Sequence, residues 1–223
     1  MCSPLRQVCD RSSAGFLWPV ILGIVIFIGA CGHATDTVSD ASPGLVRLDA
    51  HGLAMPADSA GTDHLCVLDS RAGLIWEVKR TESGLHDRSN TFTWFSSESR
   101  VHKNDPGVRD GGECGLGRCD TEAFVEAVNS AGLCGHSDWR LPTREELMSL
   151  GAPAPDGRGR VVDRQFFPHA AEGEFWSAST FQMYPSGAWA VDARHGLDRV
   201  DAKAAAKPVR LVRLVQATGE HAR

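Results

Sequence analysis

Four cysteines, a loop crowded with carboxylates, a run of late basic residues and several tryptophans are the residues of this chain that could do chemistry. Cys66, Cys114, Cys119 and Cys134 lie in the part that reads as folded, and an even count there fits two disulfides with three possible pairings. Cys114 and Cys119 share a glycine-rich loop and can bridge locally, which would leave Cys66 for Cys134. A zinc site is the alternative, but the spacings contain no CxxC pair and no histidine cluster accompanies them. Asn104, Asp105, Asp110 and Glu113 crowd the long loop beside Gly107, Gly111 and Gly112, and oxygen ligands of this kind can hold calcium. They lack the EF-hand spacing and the Glu-Pro-Asn and Trp-Asn-Asp signatures of calcium-dependent lectins. A solvated turn is therefore the plainer reading, with no metal expected and calcium the one cofactor kept open. Arg194, Arg199, Lys203, Lys207, Arg210 and Arg213 make the last strand region locally basic, as a contact for an anionic glycan or lipid headgroup would be. Scattered Lys and Arg more often form a solvated face. The nine histidines include no HExxH, and no GxSxG elbow is present, so no catalytic residue is expected.

The formal charge of the 223 residues is -5. Residues 1–30 carry Arg6, Arg11 and Asp10, a net +1, so the remainder carries -6. That balance disfavours nucleic acid as a partner. Phe16 to Ala30 is apolar and follows two arginines, but its 15 residues fall short of the roughly 20 that span a bilayer. It reads as a signal-peptide core. Its end, Ile28-Gly29-Ala30-Cys31, resembles the lipobox of bacterial lipoproteins, which implies acylation of Cys31 after cleavage before it. Gly32 rather than Asp follows the cysteine, which in Gram-negative lipoproteins favours transfer to the outer membrane. Several acyl chains would give stable membrane attachment.

The expected organisation is a signal peptide over 1–30, a lipidated N-terminus and flexible tether over 31–61, a folded domain over 62–217 and a disordered tail over 218–223. The tether is rich in Ala, Asp, Ser, Gly and Thr and buries too little apolar surface to order itself, although 45–48 (LVRL) has the pattern of a short edge strand. Cys66 to Val78 reads as a hairpin with its turn at Asp69–Gly73 and with Leu74, Trp76 and Val78 on one face. Thr91–Phe95 is rich in strand formers. Residues 96–118 form a long polar loop of the kind that is functional or mobile. Asp120 caps a helix with Phe124, Ala127, Val128 and Ala131 on one side, and Gly132 ends it in the left-handed conformation. Thr143 and Glu146 form a capping box for a second helix, Arg144 to Leu150, whose start is fixed by Pro142. Phe175–Thr180, Ala188–Asp192 and Val209–Val215 read as strands. Short helices early and strands late predict an α+β domain.

The runs CVLDSRAGLIWEV, CDTEAFVEAVNSAGLCGHSDWRLPTREEL, FWSAS, AWAVD and the closing VRLVR resemble the Legionella-collagen-like C-terminal domain family over roughly 62 to 217. The order of the WRLPT-helix, the tryptophan strands and VRLVR is also similar to the formylglycine-generating-enzyme and C-type-lectin-like architecture. These resemblances imply a compact C-type-lectin-like domain with two short helices, twisted antiparallel strands and long loops. They also imply carbohydrate or surface binding, including adhesion to sulfated glycans. The formylglycine-generating enzymes use cysteines late in the chain; none follows Cys134 here, so that chemistry has no nucleophile.

Trp139, Trp176 and Trp189 are the tryptophans of the resemblance. Aromatic platforms bind sugars, but buried tryptophan is mostly core. Arg140 fits a structural ion pair or carbonyl contacts. The function expected first is a non-catalytic, lipid-anchored cell-envelope domain that recognises a glycan or envelope polymer. Its contact surface would be loops 96–118 and 181–188 with Trp176, Trp189, Arg194, Arg199, Lys203 and Arg210. A structural or assembly lipoprotein that binds another envelope protein would instead expose a contiguous apolar patch. An enzyme would show a pocket with convergent titratable groups.

Overall fold

The computed structural model describes residues 44–56, 59, 63–115, 117–153, 160–170, 173–192 and 195–216, all within the unit Asp40–Arg223. The expected signal core, Cys31, the tether before Gly44, most of the 153–160 loop, Arg194 and the tail lie outside the described residues.

Turn chemistry sets the first sheet. The Asp69 carboxylate accepts from the Arg71 and Ala72 amides, an Asx-type turn that reverses the chain. This pairs β2 (Cys66–Asp69) with β3 (Leu74–Glu77) in antiparallel register, Val67 opposite Trp76. The LVRL segment is β1 (Leu45–Leu48) and pairs with β2 at the sheet edge, so folded structure begins ahead of residue 62. Next come the one-turn helix α1 (Ser99–His102), α2 (Thr121–Ala131), a 3-10 turn at Leu133–Gly135, and α3 (Arg144–Ser149). A small pair, β4 (Ala152–Pro153) and β5 (Arg160–Val161), precedes the antiparallel sheet of β6 (Glu174–Thr180), β7 (Gly187–Asp192) and β8 (Leu197–Ala202). The last strand, β9 (Val212–Leu214), returns to β3, giving the order β1-β2-β3-β9. The domain is α+β.

The helix ends follow the sequence. Asp120 accepts from the Ala123 amide, Gly132 is left-handed at φ 68°, and both bonds of the Thr143–Glu146 capping box form. On α2 the buried residues are Thr121, Ala123, Phe124 and Val128, while Ala131 is exposed because the helix ends before that turn reaches the core.

Strand alternation divides the apolar residues into two clusters. Cys66, Ile75, Trp176, Ala188 and Ala190 face the first, with Phe92, Trp94, Phe124 and Trp139. Val67, Leu74, Trp76, Phe175 and Val191 face the second, with Leu147 of α3 and with Phe166 and Phe167. Both faces of β3 are therefore covered.

Two expected strands behave differently. Thr91–Phe95 is extended but joins no ladder. Phe92 and Trp94 donate to Lys207 and Lys203 on one side, while Thr93 donates to Cys119 on the other. Its pairing capacity is divided among three segments, which leaves only isolated bridges. Val209–Val215 is laddered only at Val212–Leu214. Its earlier part passes between sheets, with Pro208 accepting from Trp176 and Leu211 from Glu77. The strand β8 was hidden in the sequence by Asp198, Arg199 and Asp201, the charges that keep an edge strand from pairing with another chain.

Candidate functional site

An aromatic surface forms where the turn after β6 meets the start of α3. Between Trp176 and Thr180 the register of β6 against β7 shifts, a bulge, and bulges re-aim nearby side chains. Its freed groups grip neighbouring segments. Ser177 Oγ donates to the Trp189 carbonyl (2.8 Å), the Ala178 amide to the Pro142 carbonyl (2.7 Å), and Ser179 Oγ accepts from the Arg144 amide (3.4 Å). The Trp-Arg-Leu-Pro-Thr stretch is held independently: Arg140 is bidentate to Glu146 at 2.8 and 2.7 Å and also donates to the Leu141 carbonyl. That is the structural ion pair expected of it. With both segments fixed, the Arg144 guanidinium lies 4.2 Å from the centre of the half-buried Trp189 ring and pairs with Asp198. Phe181 meets Trp189 edge-on at 5.5 Å, and Tyr184 stacks on Phe181 at 5.9 Å. Tyr184 is 66% exposed and Met183 76%.

The two loops expected to form the contact surface are joined by Lys203. Its amide donates to the Ser186 carbonyl (2.9 Å) in the 181–187 turn. Its ammonium donates to the carbonyls of His102 (3.3 Å) and Asp105 (2.5 Å) just after α1 and lies 4.0 Å over the Trp94 ring. Burial pushes the Lys203 ammonium down to about 8 against the pull of Asp105. The long loop is thus shaped rather than structureless: Lys103, Asn104 and Asp110 are left-handed. A Cβ on Gly107 would lie 2.1 Å from the Trp94 carbonyl oxygen, and one on Gly112 2.2 Å from that of Thr91. Glycine is required at both close approaches.

Several expected ligand contacts are placed elsewhere. Trp176 is 0% exposed and donates its indole N–H to the Phe92 carbonyl (2.9 Å), so it is core and not a platform. Trp139 is also buried and bonded to the Leu133 carbonyl. The late basic residues do not form one exposed patch. Lys203 and Arg210 are each 1% exposed, and Lys207 and Arg213 are buried as well. Arg199 is exposed but pairs with Glu174 and Asp201, the same carboxylates that hold Lys207. Arg213 pairs with Asp138. The physical reason is that each side chain is enclosed by the fold, Lys203 and Lys207 after β8, Arg210 in the crossing between the two sheets and Arg213 in β9, where a cation must be paired or hydrogen-bonded.

Arg210 shows this most clearly. It donates to the Glu77 carbonyl (2.6 Å) and lies over Phe167 at 4.8 Å, and burial pushes its guanidinium down to about 10 against the pull of Glu77. The Glu77 carboxylate accepts from Lys79 and His86 at 2.8 Å each and from the Leu211 amide at 2.9 Å. Burial works to raise that carboxyl, but Lys79 and His86 outweigh it and hold it at about 2. Glu77, Lys79 and Arg210 of this cluster are buried, and its bonds tie β3 to the Arg210–Leu211 segment.

Both disulfides form in the expected pairing, Cys66–Cys134 in the first core and Cys114–Cys119 in the loop before α2. Of the calcium candidates, Asp105 accepts from the Gly107 amide and Asp110 from that of Cys119. Asn104 and Glu113 are exposed. Among the described residues no three of His, Cys, Asp or Glu converge on a common point.

Phe181, Met183, Tyr184, Arg144 and Asp198 were not singled out from the sequence, although the 181–188 loop was. The available signal was the chain's single tyrosine in a Phe-Gln-Met-Tyr-Pro-Ser-Gly turn, since large apolar residues rarely occupy a turn without a partner surface.

Among the described residues no helix is long and apolar enough to cross a membrane. No curated protein and no solved structure matches the chain. The Lcl C-terminal domain family matches residues 65–213, which is 149 of the 223 residues. This chain therefore belongs to the Lcl C-terminal domain family and is an extracellular or envelope-associated domain.

Proposed function

We propose that this is a non-catalytic binding domain of the cell envelope, lipid-anchored at Cys31 in the outer membrane, that recognises a glycan or envelope polymer. The observation that carries the reading is the surface of Tyr184, Phe181 and Trp189, with Arg144 across the indole. Aromatic faces bind sugar rings through their C–H bonds, while polar groups at the rim orient the hydroxyls. The surface is held in place before any ligand arrives by the β6 bulge, the capped α3 and the Lys203 link, which lowers the ordering cost of binding.

The test is a glycan array with the full chain in detergent, repeated with Trp189→Ala and with calcium chelated. Saturable binding lost in the variant is expected. Binding lost only on chelation would move the site to Asp105 and Asp110. No binding to any glycan, together with co-purification of a protein partner from envelope extracts, would replace this reading with an assembly role. The anchor is tested separately, by loss of incorporated labelled fatty acid in Cys31→Ala.

A further inference from the structure

We infer that the carbohydrate recognised at this surface is uncharged, stacking on Tyr184 and Phe181 rather than pairing with cations. This rests on the glycan reading above and specifies its ligand class. The shape argument comes first. The turn is closed by the Phe181 amide to the Gly187 carbonyl (2.9 Å) and the Gly187 amide to the Tyr184 carbonyl (2.8 Å). Gly187 presses against β8 so closely that a Cβ there would lie 2.7 Å from Val200. Tyr184 is therefore presented on a rigid support, a flat face open to one side. Gln182 and Ser186 of the same turn are exposed and supply neutral donors and acceptors for hydroxyl groups.

The charge argument decides the class. A sulfated or carboxylated polymer is held by several free Lys or Arg side chains acting together. Among the described residues, the cation in contact with this aromatic surface is Arg144, and it already pairs with Asp198 and lies 3.9 Å from Glu145. That trio carries one positive and two negative charges. The adjoining strand edge adds none in excess: Arg199 and Lys207 share Glu174 and Asp201, and the Lys203 ammonium is turned inward onto carbonyls. The exposed Arg100 and Lys103 of the α1 segment, an element that packs against β6, are competing anion contacts, and the test includes them.

The experiment titrates the full chain in detergent with cellohexaose, maltohexaose and chitohexaose on one side and heparin and polygalacturonate on the other, at low and raised salt. Tryptophan fluorescence and calorimetry are the readouts. At least one neutral oligomer is expected to bind with an affinity that salt leaves unchanged and that falls about tenfold or more in Tyr184→Ala. Binding of the polyanions alone, weakened by salt, overturns the inference and leaves the glycan reading standing; loss in the Arg100→Ser/Lys103→Ser variant would then place the contact on α1. Polyanion binding that requires Tyr184 overturns it too. Binding of neither class overturns both readings. Circular dichroism of Tyr184→Ala guards against misfolding, and Tyr184→Phe is expected to restore binding, because stacking needs the ring and not the hydroxyl.

Discussion

Trp176 and Trp189 lie on adjacent strands thirteen residues apart in sequence, yet they have opposite fates. Trp176 faces the first core with no exposed surface and a bonded indole N–H. Trp189 shares the face of Val191 but lies outside the second cluster, and the guanidinium of Arg144 at the start of α3 lies over its ring. The residue type is the same and the chemistry differs, because strand alternation chooses the face and the placement of one short helix chooses the cover. The inner side of this sheet is closed by the core, and its outer end is left partly open.

The largest effect expected from breaking this comparison is at Trp176. Trp176→Ala should cost about 3–5 kcal/mol in urea unfolding, whereas Trp189→Ala should cost under about 1 kcal/mol. Equal losses would mean that Trp189 is core after all. The disulfides sharpen the same contrast. Their sequence separations are 68 and 5 residues, so the chain-entropy argument gives about 4 kcal/mol for removing Cys66–Cys134 and about 2 kcal/mol for Cys114–Cys119. Paired serine variants followed by thermal unfolding would check the order.

Acid should weaken the buried cluster around Glu77. The Glu77 carboxyl titrates at about 2 in the folded chain against 4.5 in the reference state. Its contribution, up to about 3 kcal/mol, is full above pH 4.5 and is lost as pH falls toward 2. Glu77→Gln should be less stable at neutral pH and show a flatter acid limb; an unchanged limb would mean that the cluster does not couple to folding.

Alkali should act in the other direction at the loop link. Lys203 releases its proton at about 8 when folded and near 10.5 otherwise, so between those values the unfolded chain binds more protons and stability rises with pH. Lys79, also lowered by burial, adds the same sign. The readout is therefore the difference between the wild type and Lys203→Met, in which the rise should shrink. The smallest stability effect is expected at Arg144→Ala, within about 1 kcal/mol, with ligand affinity reduced and the tryptophan emission shifted as the indole loses its cover.

Much of this protein was legible because the determinants are local. The Asp69–Gly73 turn, the Asp120 cap, the left-handed Gly132 and the Thr143–Glu146 box each depend on residues within a few positions of one another, so the hairpin and both longer helices could be read directly. The alternation of Leu74, Trp76 and Val78 gave their common face for the same reason. The family motifs pointed to the Lcl C-terminal domain family, which matches residues 65–213, and the late basic residues showed where such reading fails. Lys203, Arg210 and Arg213 look like surface in sequence. They are buried by three different placements: Lys203, just after β8, reaches the carbonyls of His102 and Asp105; Arg210 lies in the crossing between the sheets beside Glu77; and Arg213 sits in β9 against Asp138. Those partners lie dozens of residues away or more, and no local rule brings them together. The aromatic surface is likewise a tertiary product: a bulge in β6, a capped helix start and a strand face must coincide before Arg144 covers Trp189 and Tyr184 is left open. Sequence determined the elements and their ends, through short-range hydrogen bonding and periodicity. Only the packing of those elements decided which tryptophan is core, which cations are neutralised and where a ligand could rest, because those outcomes depend on long-range burial and pairing.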